Sequence, residues 1–348
     1  MAPRSVFRIF LFILVLTLAA CAGDAGEQGP AGPAGPAGPQ GVAGPAGADA
    51  PALEVTDLSC ADCHNETTLL LSVQARFEES HHATGGSWVR GSSPSCAGCH
   101  GSEGPEARIA AGLSPNDDSI QGVATTSPIN CRTCHDVHMS YTGADWALTG
   151  GAAAVSLERS DGTYDKGSAN LCAQCHQIRH PRPAATDGMI EVTSTRFGPH
   201  HGVESNMAVG EGGMGVTGAP GGHYNLIDAG CVSCHMGENT NHGFEAELGT
   251  CEGCHSDIES FDYNGTQTEI QALLDQIKPL LIAEGIIDST ILDDDGEIGN
   301  RSVPGTYSEE VVNAMWNYMY VVEDQSLGVH NPGFTRALLE YSLTALGG

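Results

Sequence analysis

The chain has 348 residues, enough for two domains of ordinary size. Only 5% of them are aromatic although 40% are hydrophobic, and 46 are glycine, so neither an ordinary side-chain core nor long regular elements are well supplied. The formal net charge of −29 makes nucleic acid a poor partner. It leaves metal ions, positively charged redox proteins, or simply a self-repelling soluble surface.

In chain order, residues 1–20 read as an export signal. Arg4 and Arg8 precede an apolar run from Ile9 to Ala20. At about 12 residues the run is too short to span a bilayer. Leu18-Ala19-Ala20-Cys21 resembles a bacterial lipobox. The resemblance implies lipidation of Cys21 and, because no Asp follows it directly, sorting to an outer membrane. A plain signal peptide or short anchor is the alternative. Losing both arginines takes the charge from −29 to −31.

Residues 21–51 form a second segment. Gly26 to Asp49 is eight consecutive Gly-X-Y triplets, the spacing a collagen triple helix needs at its axis. A tract this short is read as an extended, lipid-anchored tether, reaching roughly 75 Å at about 3.1 Å per residue. Trimerisation through the tract is the alternative.

Residues 52–263 are rich in Gly, Ser and Thr and carry six copies of Cys-x-x-Cys-His. The copies are Cys60/Cys63/His64, Cys96/Cys99/His100, Cys131/Cys134/His135, Cys172/Cys175/His176, Cys231/Cys234/His235 and Cys251/Cys254/His255. Every cysteine except Cys21 belongs to one of them. Two thiols two residues apart share one short turn and can add across the two vinyl groups of one haem, while the next residue offers an imidazole to the iron. Disulfides give no reason for the repeated histidine, which is scarce at 15 residues in all. Zinc ribbons do not need it in every copy, and thioredoxin-like pairs occur singly. The expected cofactors are therefore six haem c. Roughly 210 residues sharing six porphyrins is about 35 per haem, too few for an ordinary core, so the cofactors must supply it.

Residues 264–348 read as helical. Thr266 and Glu269 form a capping-box pattern, followed by Ile270, Leu273, Leu274, Ile277 and Leu281 at helical spacing. Thr306 and Glu309 repeat the cap before Val311, Val312, Met315, Met319 and Val322, and a last helix begins near Pro332 with Phe334, Leu338 and Tyr341 inward. Asp293-Asp294-Asp295-Gly296 lacks full EF-hand spacing and reads as an exposed turn. The fold class is thus a mostly irregular and α-helical multihaem cytochrome with a haem-stacked core, few short helices and a helical C-terminal region.

The motif histidines are the proximal ligands. Nine others are candidates for the distal position: His81, His82, His138, His180, His200, His201, His223, His242 and His330. Methionine is the alternative ligand at Met139, Met207, Met214 or Met236, but the surplus of histidine favours bis-histidine ligation, which fills both axial positions and lowers the reduction potential. His138, His180 and His242 lie three, four and seven residues after a motif histidine, too close to cross their own porphyrin. They are expected at a neighbouring haem. His81-His82 and His200-His201 each serve one haem or two.

Two segments resemble known families. Gly198-Pro199-His200-His201-Gly202 followed by Met207 looks like a segment of periplasmic and extracellular multihaem cytochromes. Trp316-Asn317-Tyr318 with Gly328-Val329-His330-Asn331-Pro332 resembles the C-terminal helical region of relatives of cytochrome c nitrite reductase, which implies an axial role for His330. Those reductases attach their catalytic haem through a motif ending in lysine. All six motifs here end in histidine, so nitrite reduction of that type does not carry over.

The expected function is electron transfer at the periplasm or cell surface, with redox proteins or extracellular acceptors as partners and the outer membrane reached through the lipid anchor. Assembly as a filament is a minor variant. The alternative is an oxidoreductase acting on a small nitrogen or sulfur compound at one open haem, where His81 and His82 could serve as acid and base. A surface interaction protein built on the Gly-X-Y tract is a third.

Overall fold

Regular structure is sparse before residue 263 and dense after it. The computed structural model describes residues 68–150, 153–237, 241–292 and 301–348. The export signal, the Gly-X-Y tract, the first motif (Cys60, Cys63 and His64) and the Asp293–Gly296 turn lie outside the described residues.

Helix α1 (Thr68–Glu79) is stabilised on its surface by a Gln74–Glu78 bond across one turn. It stops at Ser80, whose hydroxyl accepts from Ala83 N and so caps a four-residue turn, His81–Thr84. Helix α2 (Glu103–Ala110) opens on Glu103 and Glu106, whose charges suit a helix N-terminus. Short helical turns overlap four of the motifs: Pro94–Ala97, Cys131–Cys134, Asn170–Ala173 and Cys231–His235. The turn at Cys131 has a capping box in which Asn130 and Thr133 bond each other's backbone. Strands are short. β1 (Val155–Ser156) pairs with β2 (Thr163–Tyr164), β3 (Met189–Val192) with β6 (Gly305–Ser308), and β4 (Ile287–Asp288) with β5 (Arg301–Ser302), all antiparallel. Helix α3 (Glu204–Val209) lies between β3 and the C-terminal helices in sequence.

The three expected C-terminal helices are present as α4 (Thr266–Ala283), α5 (Glu309–Asp324) and α6 (Pro332–Ala345). Two of their caps differ from expectation. Thr266 is already inside α4, and Asp262 accepts from Thr268 N at 3.1 Å. Thr306 is held in β6 opposite Glu191, so Ser308 caps α5 by accepting from Val311 N. In both cases a residue that the local pattern did not single out reaches the orphan N–H.

Most of the helical side chains expected inward are buried, while Leu273, Val322 and Tyr341 are half-buried. Ile270, Leu274, Ile277 and Leu281 of α4 meet Val312, Met315, Trp316 and Tyr320 of α5 and Phe334, Leu338 and Leu339 of α6. This core also takes in Ile178, Ile190, Val192, Val203 and Met207, so helical tail and motif region share one interior. A smaller cluster of Val155, Leu157, Tyr164, Ala169, Ala173, Val209 and Val232 lies within the motif region.

The glycine-rich strip at 210–218 is fixed by polar side chains of α5. Trp316 Nε1 donates to Gly212 O at 3.0 Å, Tyr320 Oη donates to Glu211 O at 2.6 Å, and Asn317 both accepts from Met214 N and donates to Met214 O. Gly212 is required here. Its φ is +91°, and a Cβ would stand 2.2 Å from Ile178 Cδ1. Asn331 closes the other side: Oδ1 accepts from Phe334 N as the cap of α6, while Nδ2 donates to Met207 O and Ala219 O. Replacing buried Asn331 with Ala removes the cap and orphans two carbonyls, so we expect a loss of about 2–3 kcal/mol in denaturant unfolding. An unchanged midpoint would show that neither contribution operates.

Candidate haem sites

Each described motif is a single closed turn. The N–H of the motif histidine donates to the carbonyl of the first cysteine at 3.0 Å for His100, and at 2.9 Å for His135, His176 and His255. At the fifth copy, residues 231–235 are helical throughout. This turn is what the attachment chemistry needs, because it sets two sulfurs and an imidazole on one short loop. Each described motif cysteine is a free thiol rather than half of a disulfide.

Two attachment cysteines lie at the surface. Cys254 of the sixth motif is exposed, as is Cys131 of the third, whereas the other described motif cysteines are half-buried. The reason at Cys254 is its place on a surface turn. Glu252 and Gly253 beside it are exposed too, and a Cβ at Gly253 would meet nothing within 4 Å. The backbone of that turn is still closed, with Cys254 N donating to Cys251 O at 3.1 Å. Cys254 thus keeps the motif geometry at the protein surface instead of in the interior.

Every described motif histidine faces a second histidine from elsewhere in the chain. The ring-centre separations are 6.2 Å for His100–His200, 6.4 Å for His135–His242, 6.1 Å for His176–His82, 6.3 Å for His235–His330 and 6.0 Å for His255–His223. Two imidazoles bound at about 2.0 Å on opposite sides of one metal ion have ring centres about 6.3 Å apart. The residues present therefore fit an iron held between two imidazoles at each described motif.

The second ring nitrogen orients these side chains. His135 Nδ1 donates to Trp146 O at 2.9 Å, His235 Nδ1 to Phe244 O at 2.8 Å and His223 Nδ1 to Val329 O at 2.7 Å. His176 Nδ1 instead meets Glu204 Oε2 at 3.0 Å, and His330 Nδ1 meets Asp324 Oδ1 at 2.8 Å. A bond at Nδ1 fixes the ring and directs Nε2 to a metal.

Electrostatics shift His82 and His200 in one direction and His176 and His330 in the other. Burial, reinforced by the imidazoles of His176 and His81, pulls His82 down to about 4. Burial with His201 and His180 pulls His200 to about 3. Both are neutral at pH 7, with a lone pair to give. The Glu204 carboxylate raises His176 to about 9 despite burial. Burial opposes protonation of His330, but Asp324 more than offsets it and the result is also about 9. His200 sits at φ +76°, a strained conformation for a side chain of its size.

The motifs are also tied to one another. Cys99 lies beside Cys175, and Cys172 beside Cys231. This brings neighbouring attachment points together. Arg108, 1% exposed, donates to Gly98 O at 2.8 Å and to Gln174 O at 3.2 Å, joining the turns of the second and fourth motifs. Its guanidinium also reaches Cys175 Sγ at 3.9 Å.

Four candidate ligands, His81, His138, His180 and His201, belong to none of the five pairs. His81 and His201 line a cavity of about 330 Å³ together with His82, His100, His176 and His200. His138 stacks on Tyr141, His180 Nδ1 donates to Gly198 O at 2.8 Å, and His201 Nδ1 bonds Glu323. Among the methionines, Met207 is fully buried and its sulfur accepts from Thr335 Oγ1. Met139 is 74% exposed. Glu204, Asp324 and Arg108 went unnoticed in the sequence, where no motif or spacing marks them.

No family model and no curated protein matches the chain. Among solved structures it is similar to the outer cell wall cytochrome OcwA, at 20% identity and a TM-score of 0.50, over 79% of this chain and 50% of that one. It is also similar to an undecahaem cytochrome from the S-layer of Carboxydothermus ferrireducens, at 18% identity and a TM-score of 0.44, over 80% of this chain and 40% of that one. The chain thus spans half the length of the first and less of the second. The likeness to the cell wall cytochrome is one of fold, so the chain has a cytochrome-like fold of many short helices and little sheet.

Proposed function

We propose that the chain is an exported multihaem c-type cytochrome that carries electrons through six covalently attached, bis-histidine haems. The observation that carries this reading is the facing of each described motif histidine by a second histidine at 6.0–6.4 Å. Bound haem supplies a one-electron couple at each site. The chain's own residues do the rest. Cysteine pairs would hold the group on a closed turn, and the facing imidazoles would ligate its iron. Backbone carbonyls and carboxylates at Nδ1 keep those imidazoles from rotating away. Arg108 bridges the second and fourth motifs, and Ala173 and Val232 pack the fourth against the fifth, which gathers the attachment points. Occupied axial positions leave no room for substrate, which favours electron transfer over catalysis at an open haem. The exposed Cys254 puts one attachment point at the surface, where electrons can enter or leave.

The export signal and lipobox-like Cys21 support an outer-membrane lipoprotein, with the Gly-X-Y tract as its tether and the negative charge favouring cationic redox partners or extracellular acceptors. A cell-surface setting is in keeping with the outer cell wall origin of OcwA.

Purified protein should contain six haems per chain and give only low-spin signals in low-temperature electron paramagnetic resonance. His82→Ala should convert one of the six to high spin and leave the other five unchanged. A stoichiometric high-spin haem in the unaltered protein that binds nitrite or hydroxylamine would favour catalysis instead.

A further inference from the structure

The five described imidazole pairs differ in what stands behind them. A neutral backbone carbonyl anchors a ring nitrogen on His135, on His223 and on His235, the last of which shares its pair with His330. At two, the anchor is a carboxylate: Glu204 on His176 and Asp324 on His330. The Asp324 side chain is fully buried, and Ser326 Oγ donates to its second oxygen. It ends α5 while His330 follows on the turn into α6, so the pair is held by two packed helices.

A hydrogen-bonded carboxylate makes an imidazole a stronger electron donor to a metal. It also places negative charge where the oxidised centre is more positive than the reduced one, and both effects favour oxidation. The two sites are neighbours, because Ala173 of the fourth motif and Val232 of the fifth share one buried cluster. Arg108 lies against Cys175 and offsets part of the effect at the fourth motif.

Resting on the haem reading above, we propose that Asp324 and Glu204 are positioning residues that lower the reduction potentials of two adjacent haems, with the haem at Cys231–His235 the lowest. Electrons then meet a step at the fourth and fifth motifs rather than a level path.

The test is a spectroelectrochemical titration of full-length holoprotein, with haem content and spin state measured on each sample. Asp324→Asn should raise one midpoint by at least tenfold in the redox equilibrium, about 59 mV for one electron. Glu204→Gln should raise a different midpoint by less. Asp324→Glu, which keeps the charge, should return the titration toward that of the unaltered protein. Titrations of Asp324→Asn that superpose on the unaltered protein, with six low-spin haems retained, would overturn the proposal. A high-spin haem in that variant with the remaining midpoints unmoved would also overturn it, since Asp324 would then only hold the ring. If the unaltered protein itself lacks low-spin haems, the preceding reading fails first, and its own spectrum shows that before any variant is made.

Discussion

A chain produced without haem attachment will keep hydrogen-exchange protection in α4, α5 and α6 and lose it across residues 68–150. The reason is where the buried side chains are. From residue 68 to 150 the buried hydrophobic side chains are Ala97, Ile109 and Ile120, against a dense interior of leucine, isoleucine, methionine and aromatic side chains shared by the three helices. Ordering a residue costs about 1–2 kcal/mol of backbone entropy alone, which three small contacts cannot offset over such a length. On the proposed haem reading the porphyrins would supply the missing apolar surface, which couples ligation to folding in this segment. Exchange followed by mass spectrometry on haem-free and haem-bound chains reads this directly. Slow exchange at residues 103–110 without haem would show that the segment has a core of its own.

Trp316→Ala should cost about 3–5 kcal/mol, among the largest losses open to a single side chain here. The indole is 1% exposed and packs edge-on against Phe197 with ring centres 6.1 Å apart. Its N–H is also the donor for Gly212 O, so truncation leaves both a cavity and an orphaned carbonyl. The 210–218 strip should loosen with it, since Tyr320 and Asn317 hold only its flanks. Trp316→Phe keeps most of the volume and loses only the hydrogen bond and part of the contact, so it should cost about 1–3 kcal/mol. Denaturant unfolding followed by far-ultraviolet circular dichroism separates the two. A loss under about 1 kcal/mol for the alanine variant would mean that the interior collapses around the gap.

The attachment motifs were legible because their chemistry is local: two thiols and an imidazole within five residues carry the whole signal, whatever surrounds them. How deeply each attachment point is buried was not, and Cys254 lies on the surface although its motif is spelled like the rest. The three C-terminal helices were legible because a stripe at 3.6-residue spacing is a property of the segment itself. The start of α5 was not, because pairing of Thr306 with Glu191 in another part of the chain overrode the local cap. Axial partners were least legible of all. His242 faces His135 while His138, far nearer in sequence, stacks on Tyr141, and of the adjacent His200 and His201 it is His200 that faces His100. Which imidazole reaches which motif depends on where distant turns come to rest. The carboxylates of Glu204 and Asp324 and the buried Arg108 follow the same rule. Composition and motif determine what this protein can bind, because covalent attachment is written into short contiguous segments. Only the tertiary structure decides how each site is ligated and charged, because those groups meet through packing between residues that the chain holds far apart.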